Sequence, residues 1–211
     1  MVQKMKTDSI ERVEARREVG KRVRREAILA AAERVVIARG YAEASMDQVA
    51  REAGMAAGTL YLYFPGKEAL LQELLGSKVR RLDEAVGAEI EECRGMGETV
   101  RAVVLAMFRH FEEHRGFFEC FVREQIEFTR NATHSSGVLR EMAQVTARLT
   151  EWIAGAQGRG EIGGGDAALL AVALRGLVFQ FTRDWLRDGA KGELTRHAGF
   201  VAAFFLKGAG A

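Results

Sequence analysis

Residues 45–64 read SMDQVAREAGMAAGTLYLYF, and this stretch decides the fold. Met46, Val49, Ala50 and Ala53 recur at helical spacing, so a short amphipathic helix is expected over Met46–Ala53. Ser45 is a good N-cap for it, and Gln48 three residues on completes a capping box. Gly54 stands where that helix must stop sharply, since a residue without Cβ takes positive φ at little cost. A second short segment runs from Ala57 to Phe64 and is ended by Pro65-Gly66. Two short helices joined by a glycine-containing turn are the sequence sign of a helix-turn-helix. Val49, Ala50, Met55 and Leu60 are placed to pack the pair together. That leaves Ala57, Gly58, Thr59, Leu62 and Tyr63 to face a groove.

Outward from this core, Ile28, Ala31, Ala32 and Val35 mark one face of a helix from about Arg22 to Arg39. Residues 1–20 are polar and of mixed charge, either a mobile arm or a frayed helix. Downstream, Lys67 starts a long helix reaching about Arg94. Further helices are expected at about 98–114, 117–130, 136–157, 166–188 and 193–207, and GRGEIGGGD is the one flexible-looking loop. The fold class is therefore all-α, with about nine helices: an N-terminal helix-turn-helix domain and a larger helical domain. The 211 residues suffice for a core without disulfide or metal. With 48% hydrophobic and 28% charged residues the chain is not wholly disordered. One proline and 8% aromatics argue against a sandwich or barrel.

Charge is unevenly placed. Net charge is only +2, yet residues 1–25 carry nine basic and four acidic side chains, a balance suited to a polyanion. The plain alternative is a solvated charged helix. Cys93 and Cys120 have no metal-ligand spacing and fit reduced thiols. The start, MVQKMKTDSIERVEARR, has no apolar segment of a secretory signal, and no run reaches 18 apolar residues. A cytoplasmic protein with no membrane partner is expected, in which the sequon at Asn131 goes unglycosylated.

Residues 24–74, RREAILAAAERVVIARGYAEASMDQVAREAGMAAGTLYLYFPGKEALLQEL, closely resemble the N-terminal domain of TetR-family transcriptional regulators. The landmarks are Ile28, Ala32, Gly40-Tyr41, Val49-Ala50, Ala53-Gly54, Gly58-Thr59-Leu60-Tyr61, Tyr63-Phe64 and Lys67-Glu68, all in one register. Residues 75–211 match the family in length and helical character only. The resemblance implies a basic arm at 1–20, a DNA-binding domain at 21–66, and an effector-binding and dimerisation domain at 67–211. It implies that Ser45, Tyr63 and Lys67 bind phosphates. Ala57, Gly58, Thr59 and Leu62 would lie nearest the bases, with Tyr61 against the backbone or a thymine methyl. Arg22, Arg24 and Arg25 lead into the first helix, placed for a flanking phosphate or the minor groove. Ala56 and Ala57 depart from the family pattern, which commonly has a capping Ser and a longer polar residue there. No Asn, Gln or Arg occurs between Met55 and Phe64, so recognition leans on Thr59, methyl contacts and DNA shape.

For the larger half the resemblance implies a homodimer built on the last two helices, 166–188 and 193–207. It also implies a pocket for a small-molecule effector among the middle helices. Candidate lining residues include Phe108, Phe111, Phe121, Trp152 and Phe179, with Met107, Phe118, Phe128, Met142 and Trp185. Arg175 and Gln180 are candidate polar anchors. For each of these residues core packing is the plain alternative. An aromatic and methionine-rich lining suits a flat or greasy ligand.

Two motifs are set aside. His110-Phe111-Glu112-Glu113-His114 satisfies H-x-x-E-H, but a glycine soon follows and His134, in an expected loop, is no evident third ligand. Gly158–Gly163 matches G-x-G-x-x-G but follows a helix rather than a strand. The leading reading is a ligand-responsive, sequence-specific DNA-binding regulator on double-stranded DNA, a palindromic operator, most often a repressor in this family. It is not an enzyme and needs no cofactor. The alternatives are an architectural protein binding DNA without sequence preference, and a metallohydrolase using His110, Glu113 and His114.

Overall fold

The structure, a computed structural model, describes residues 2–92, 95–123 and 136–210, and for 2–15, 121–123 and 136–139 the helical backbone alone. These residues form nine α-helices: α1 (Val2–Arg39), α2 (Met46–Glu52), α3 (Ala57–Tyr61), α4 (Lys67–Glu91), α5 (Met96–Glu113), α6 (Arg115–Arg123), α7 (Ser136–Gly158), α8 (Ala167–Arg187) and α9 (Ala198–Gly208). A 3-10 turn, Leu194–His197, precedes α9, and no strand occurs among the described residues. The all-α expectation holds. Cys93, Phe128, Asn131 and His134 and the side chain of Phe121 lie outside the described residues. The chain forms two compact units, 1–74 and 75–211, and the division falls inside α4.

Three boundaries differ from the sequence reading. α1 starts at Val2, so residues 2–20 continue the first helix. Lys, Arg and Glu are good helix formers, and Glu18–Lys21 and Arg22–Glu26 pair along the helix at 2.7 and 3.9 Å. α3 ends at Tyr61 rather than Phe64, because Leu62, Tyr63 and Phe64 close as tight turns onto Thr59 and Leu60 ahead of Pro65. The last helix opens with a 3-10 turn.

In the first unit the buried side chains are Ile28, Ala31, Ala32, Val35 and Val36 of α1, Val49 and Ala50 of α2, Leu60 of α3, Phe64, and Leu70, Leu71 and Leu74 of α4, with α2 packed against both α1 and α3. The second unit is built around α5, whose Val100, Val103, Val104, Met107 and Phe108 are wholly buried. Leu149 and Ile153 of α7, Leu174 and Val178 of α8 and Val201 and Phe205 of α9 complete that core. Within this unit α4 is tied to α7 by a bidentate Arg148–Asp83 pair at 2.9 and 2.8 Å and by Arg80–Glu141 at 3.1 Å. Arg148 crosses directly over Gly87, where a Cβ would stand 3.0 Å from its guanidinium.

Candidate nucleic-acid interface and effector pocket

The turn between α2 and α3 is built as its residues require. Ser45 Oγ accepts from the Gln48 amide at 3.4 Å and Gln48 Oε1 accepts from the Ser45 amide at 2.9 Å, closing the capping box. At the other end of α2, Gly54 has φ of +67°. The Gly54 amide donates to Arg51 O and the Met55 amide to Ala50 O, a Schellman turn that stops the helix. Ala56 starts α3 with no side-chain cap, the departure already visible in the sequence. Leu60 is wholly buried and Val49 and Ala50 nearly so, which fixes α3 against α2.

What this leaves outward is a short apolar and hydroxyl surface. Leu62 is 85% exposed and Tyr61 50% exposed, although exposed large apolar side chains carry no stability. Gly58 is exposed, and a Cβ built on it would meet nothing within 4 Å. Ala57, Thr59 and Tyr63 are half-buried. The Ser45 amide is engaged by Gln48, so Ser45 has its hydroxyl hydrogen to offer a phosphate. Lys67 Nζ donates to Ala42 O at 2.8 Å and sits 4.9 Å over the Tyr41 ring, which holds the ammonium in place with donors to spare.

The arginines ahead of α1's buried stripe part company. Arg24 is exposed. Arg25 is folded inward, donating to Tyr63 O at 3.1 Å and Glu73 at 3.3 Å and covering the Phe64 ring at 4.3 Å. It braces the segment after α3, a role its sequence position beside Arg24 did not signal.

Phe108, Phe111 and Trp152, singled out as pocket residues, come together in the core of the second unit. Trp152 is 8% exposed and its Nε1 is buried with no acceptor among the described residues, a cost of about 1–3 kcal/mol for a buried donor. Arg175 and Phe179 lie elsewhere. Arg175 borders an open groove with Met142, Ala143, Thr146, Ala147, Thr150 and Glu151, and Phe179 is 56% exposed on α8. Trp185 is satisfied by Gly192 O at 2.9 Å, and Gln180 by Asp184.

The H-x-x-E-H residues are dispersed in use. Glu113 is exposed, Glu112 accepts from the amide and hydroxyl of Thr195, and His114 Nδ1 faces the Lys78 ammonium at 3.1 Å. A cation beside the ligating nitrogen opposes a metal ion. Among the described residues no group of three or more His, Cys, Asp or Glu is placed to hold a metal, and no helix is long and apolar enough to cross a membrane.

Sequence reasoning passed over Lys78, which is 3% exposed. The signal was present: Lys78 occupies the apolar stripe Leu71, Leu74, Lys78, Leu82, Val86 of α4.

Residues 28–74 match the family model "Bacterial regulatory proteins, tetR family". The chain is 30% identical over 132 residues to the HTH-type transcriptional regulator SrpR of Pseudomonas putida, covering 61% of this chain and 57% of that protein, little more than half its length. It is also 30% identical over 132 residues to the uncharacterized HTH-type transcriptional regulator TtgW of Pseudomonas putida, covering 61% of this chain and 90% of that protein. The crystal structure of the transcriptional regulator FadR from Bacillus subtilis in complex with stearoyl-CoA superposes with a TM-score of 0.75. It has 22% identity and covers 87% of this chain and 98% of that one.

Proposed function

The chain belongs to the TetR family of bacterial regulatory proteins, whose members bind DNA and small-molecule effectors and are not enzymes, and on that premise we propose that it is a homodimeric, cytoplasmic repressor of a palindromic operator. The observation that carries this reading is the outward face after the glycine turn: Gly58 and Tyr61 of α3 and Leu62 just beyond it stand exposed, while Leu60 beside them is wholly buried. In this reading 21–66 is the DNA-binding domain, 1–20 a basic extension and 67–211 the effector and dimerisation domain. Thr59, Ala57, Gly58 and Leu62 meet base edges and Tyr61 a thymine methyl or the backbone. Arg24, Ser45, Tyr63 and Lys67 meet phosphates. Phosphate contacts set affinity and its salt dependence, and the few base contacts set preference.

The homodimer is supported by exposed apolar side chains on the last two helices: Leu169, Val172 and Phe179 of α8, and Phe200 and Phe204 of α9. A second copy of the same face covers them by two-fold symmetry, and the same symmetry sets two α3 helices about 34–36 Å apart on successive major grooves.

The effector is proposed to lie among Phe108, Phe111, Phe121 and Trp152, with the indole N–H of Trp152 awaiting an acceptor. Arg175, in the open groove beside α7, and Phe179, on the exposed face of α8, lie apart from that cluster. That the FadR structure holds stearoyl-CoA supports an effector with a long apolar part. α4 contributes its first turns to one unit and the rest to the other, so an effector that favours one position of α4 shifts the population competent for DNA.

The experiment is selection of bound duplexes from a randomised pool at near-physiological salt. An enriched palindrome is the expected result. Enrichment of nothing, with binding that vanishes as salt rises, would favour an architectural protein instead.

A further inference from the structure

From Arg16 to Arg24 every residue of α1 is exposed, so these turns stand clear of the core of the first unit. They carry five basic side chains and one acidic one. Gly20 in their middle costs a helix about 1 kcal/mol against alanine, and Val19 and Val23 are more than half exposed. Packing therefore does not account for this stretch, and its excess of positive charge suits a polyanion.

The charge is also ordered. Arg17, Lys21 and Arg24 recur at i, i+4 and i+7, and the same line continues into Ile28, Ala32 and Val35, which are buried. One face of α1 is thus apolar where it meets the core and basic where it leaves it. That face passes the segment after α3, where Arg25 donates to Tyr63 O at 3.1 Å. One turn earlier, the Lys21 ammonium is held above its ordinary pKa by its hydrogen bond to Glu18 and then by the charge of Glu18, with a smaller upward pull from Tyr63. The basic line therefore runs outward from Tyr63, a residue that meets a phosphate in the reading above.

We propose that Arg17 and Lys21 bind backbone phosphates of the duplex outside the half-site met by α3, so that the start of α1 lengthens the protein's footprint on DNA. The proposal rests on the reading of the chain as a homodimeric DNA-binding regulator and adds contacts ahead of Arg24. At 1.5 Å per residue Arg17 lies about 10 Å beyond Arg24 along the helix, or about three base-pair steps. Between the half-sites the duplex is shared with the second copy, so the free phosphates lie on the outer side. Glu18 holds Lys21 at 2.7 Å, but an exposed pair of this kind is worth little, and a phosphate can displace it. Phosphate contacts carry no base preference, so the flank acts by its presence and not by its sequence.

The test is anisotropy titration of the full chain against the duplex enriched from the randomised pool, either cut at the ends of its palindrome or carrying a further helical turn of arbitrary sequence on each side. Wild type at low salt is expected to bind the flanked duplex at least about fivefold more tightly, with a slope of log affinity against log salt steeper by about 2 for each half-site. The double variant Arg17→Ala/Lys21→Ala should bind both duplexes alike, with its affinity for the cut duplex and its melting temperature in place. Of the neighbouring arginines, Arg17→Ala should lose part of the flank preference and Arg16→Ala, on another face, should keep it. Wild type that binds both duplexes alike would overturn the proposal, whatever the variants do. So would a double variant that keeps the preference or weakens equally on both duplexes, and so would equal losses in Arg16→Ala and Arg17→Ala, which would assign the effect to net charge. Enrichment of no duplex at all would instead sink the regulator reading, and this proposal with it.

Discussion

Leu62 and Lys78 are each out of place by the ordinary logic of solubility: an aliphatic side chain 85% exposed, and an ammonium 3% exposed. They belong to different units. In the first unit the core is ordinary and the unusual residues stand outside it, on and just after a five-residue helix too short to be stable except by packing. In the second unit the surface of the described helices is ordinary apart from the apolar face of α8 and α9, and the unusual polar groups lie within. A partner as large as a duplex must be met at the surface. A small effector has to be enclosed.

The largest expected effect breaks the contrast between neighbouring leucines. Leu60→Ala should cost about 2–5 kcal/mol of unfolding free energy, as large-to-small changes at fully buried sites do. Leu62→Ala should leave stability within about 0.5 kcal/mol. If both lose DNA binding and only Leu60→Ala melts early, Leu62 belongs to the interface. A Leu62→Ala protein that keeps full affinity for its selected duplex refutes the groove-facing role.

The arginine pair sharpens the same contrast inside one turn of α1. Arg25→Ala removes a guanidinium that ties Tyr63 O and Glu73 and covers Phe64, so thermal stability should fall by about 1–3 kcal/mol. Arg24→Ala should leave the melting curve unchanged and lower the slope of log affinity against log salt by about 1. Identical behaviour of the two variants would show that the inward fold of Arg25 has no role.

In the second unit the matching test is acid. His110 is held neutral, with its folded pKa near 3 against an ordinary 6.5, so the folded state excludes a proton that the unfolded chain accepts. The stability this gives is present in full above pH 6.5 and is lost as pH falls from there towards 3. The loss should approach about 1.4 kcal/mol per pH unit in the middle of that window. Melts of wild type and His110→Leu between pH 7 and 4.5 isolate it: the variant should lose less over that range. Parallel curves would mean that His110 takes up its proton without opening the fold.

How much was legible follows the same division. Ser45, Gln48, Gly54 and the burial of Val49, Ala50 and Leu60 could be read because local rules suffice: a cap, a Schellman glycine and a helical period act over four or five residues. The groove face followed by subtraction. The brace by Arg25 needed knowledge of Glu73, 48 residues away, and nothing in the local pattern supplies it. The pocket candidates were chosen because they are aromatic, and aromatics serve packing and binding alike, so Phe179 fell on an outer face while Lys78 was missed. Lys78, which the sequence analysis did not single out, is in register with Leu74 and Val86.

The smallest expected effect is the most discriminating for the second unit. Trp152→Phe keeps the ring volume largely in place and deletes an N–H that has no acceptor among the described residues. If that donor served folding, its loss would be felt as a missing hydrogen bond. Because it is unsatisfied, its removal relieves a desolvation cost while giving up some buried area, and the two should cancel to within about 1 kcal/mol. An effector whose acceptor meets Nε1 should nevertheless bind several-fold more weakly to the variant, since that hydrogen bond exists only in the complex. Unchanged stability with weakened effector binding places Trp152 in the pocket. A marked fall in melting temperature with binding intact returns it to the core.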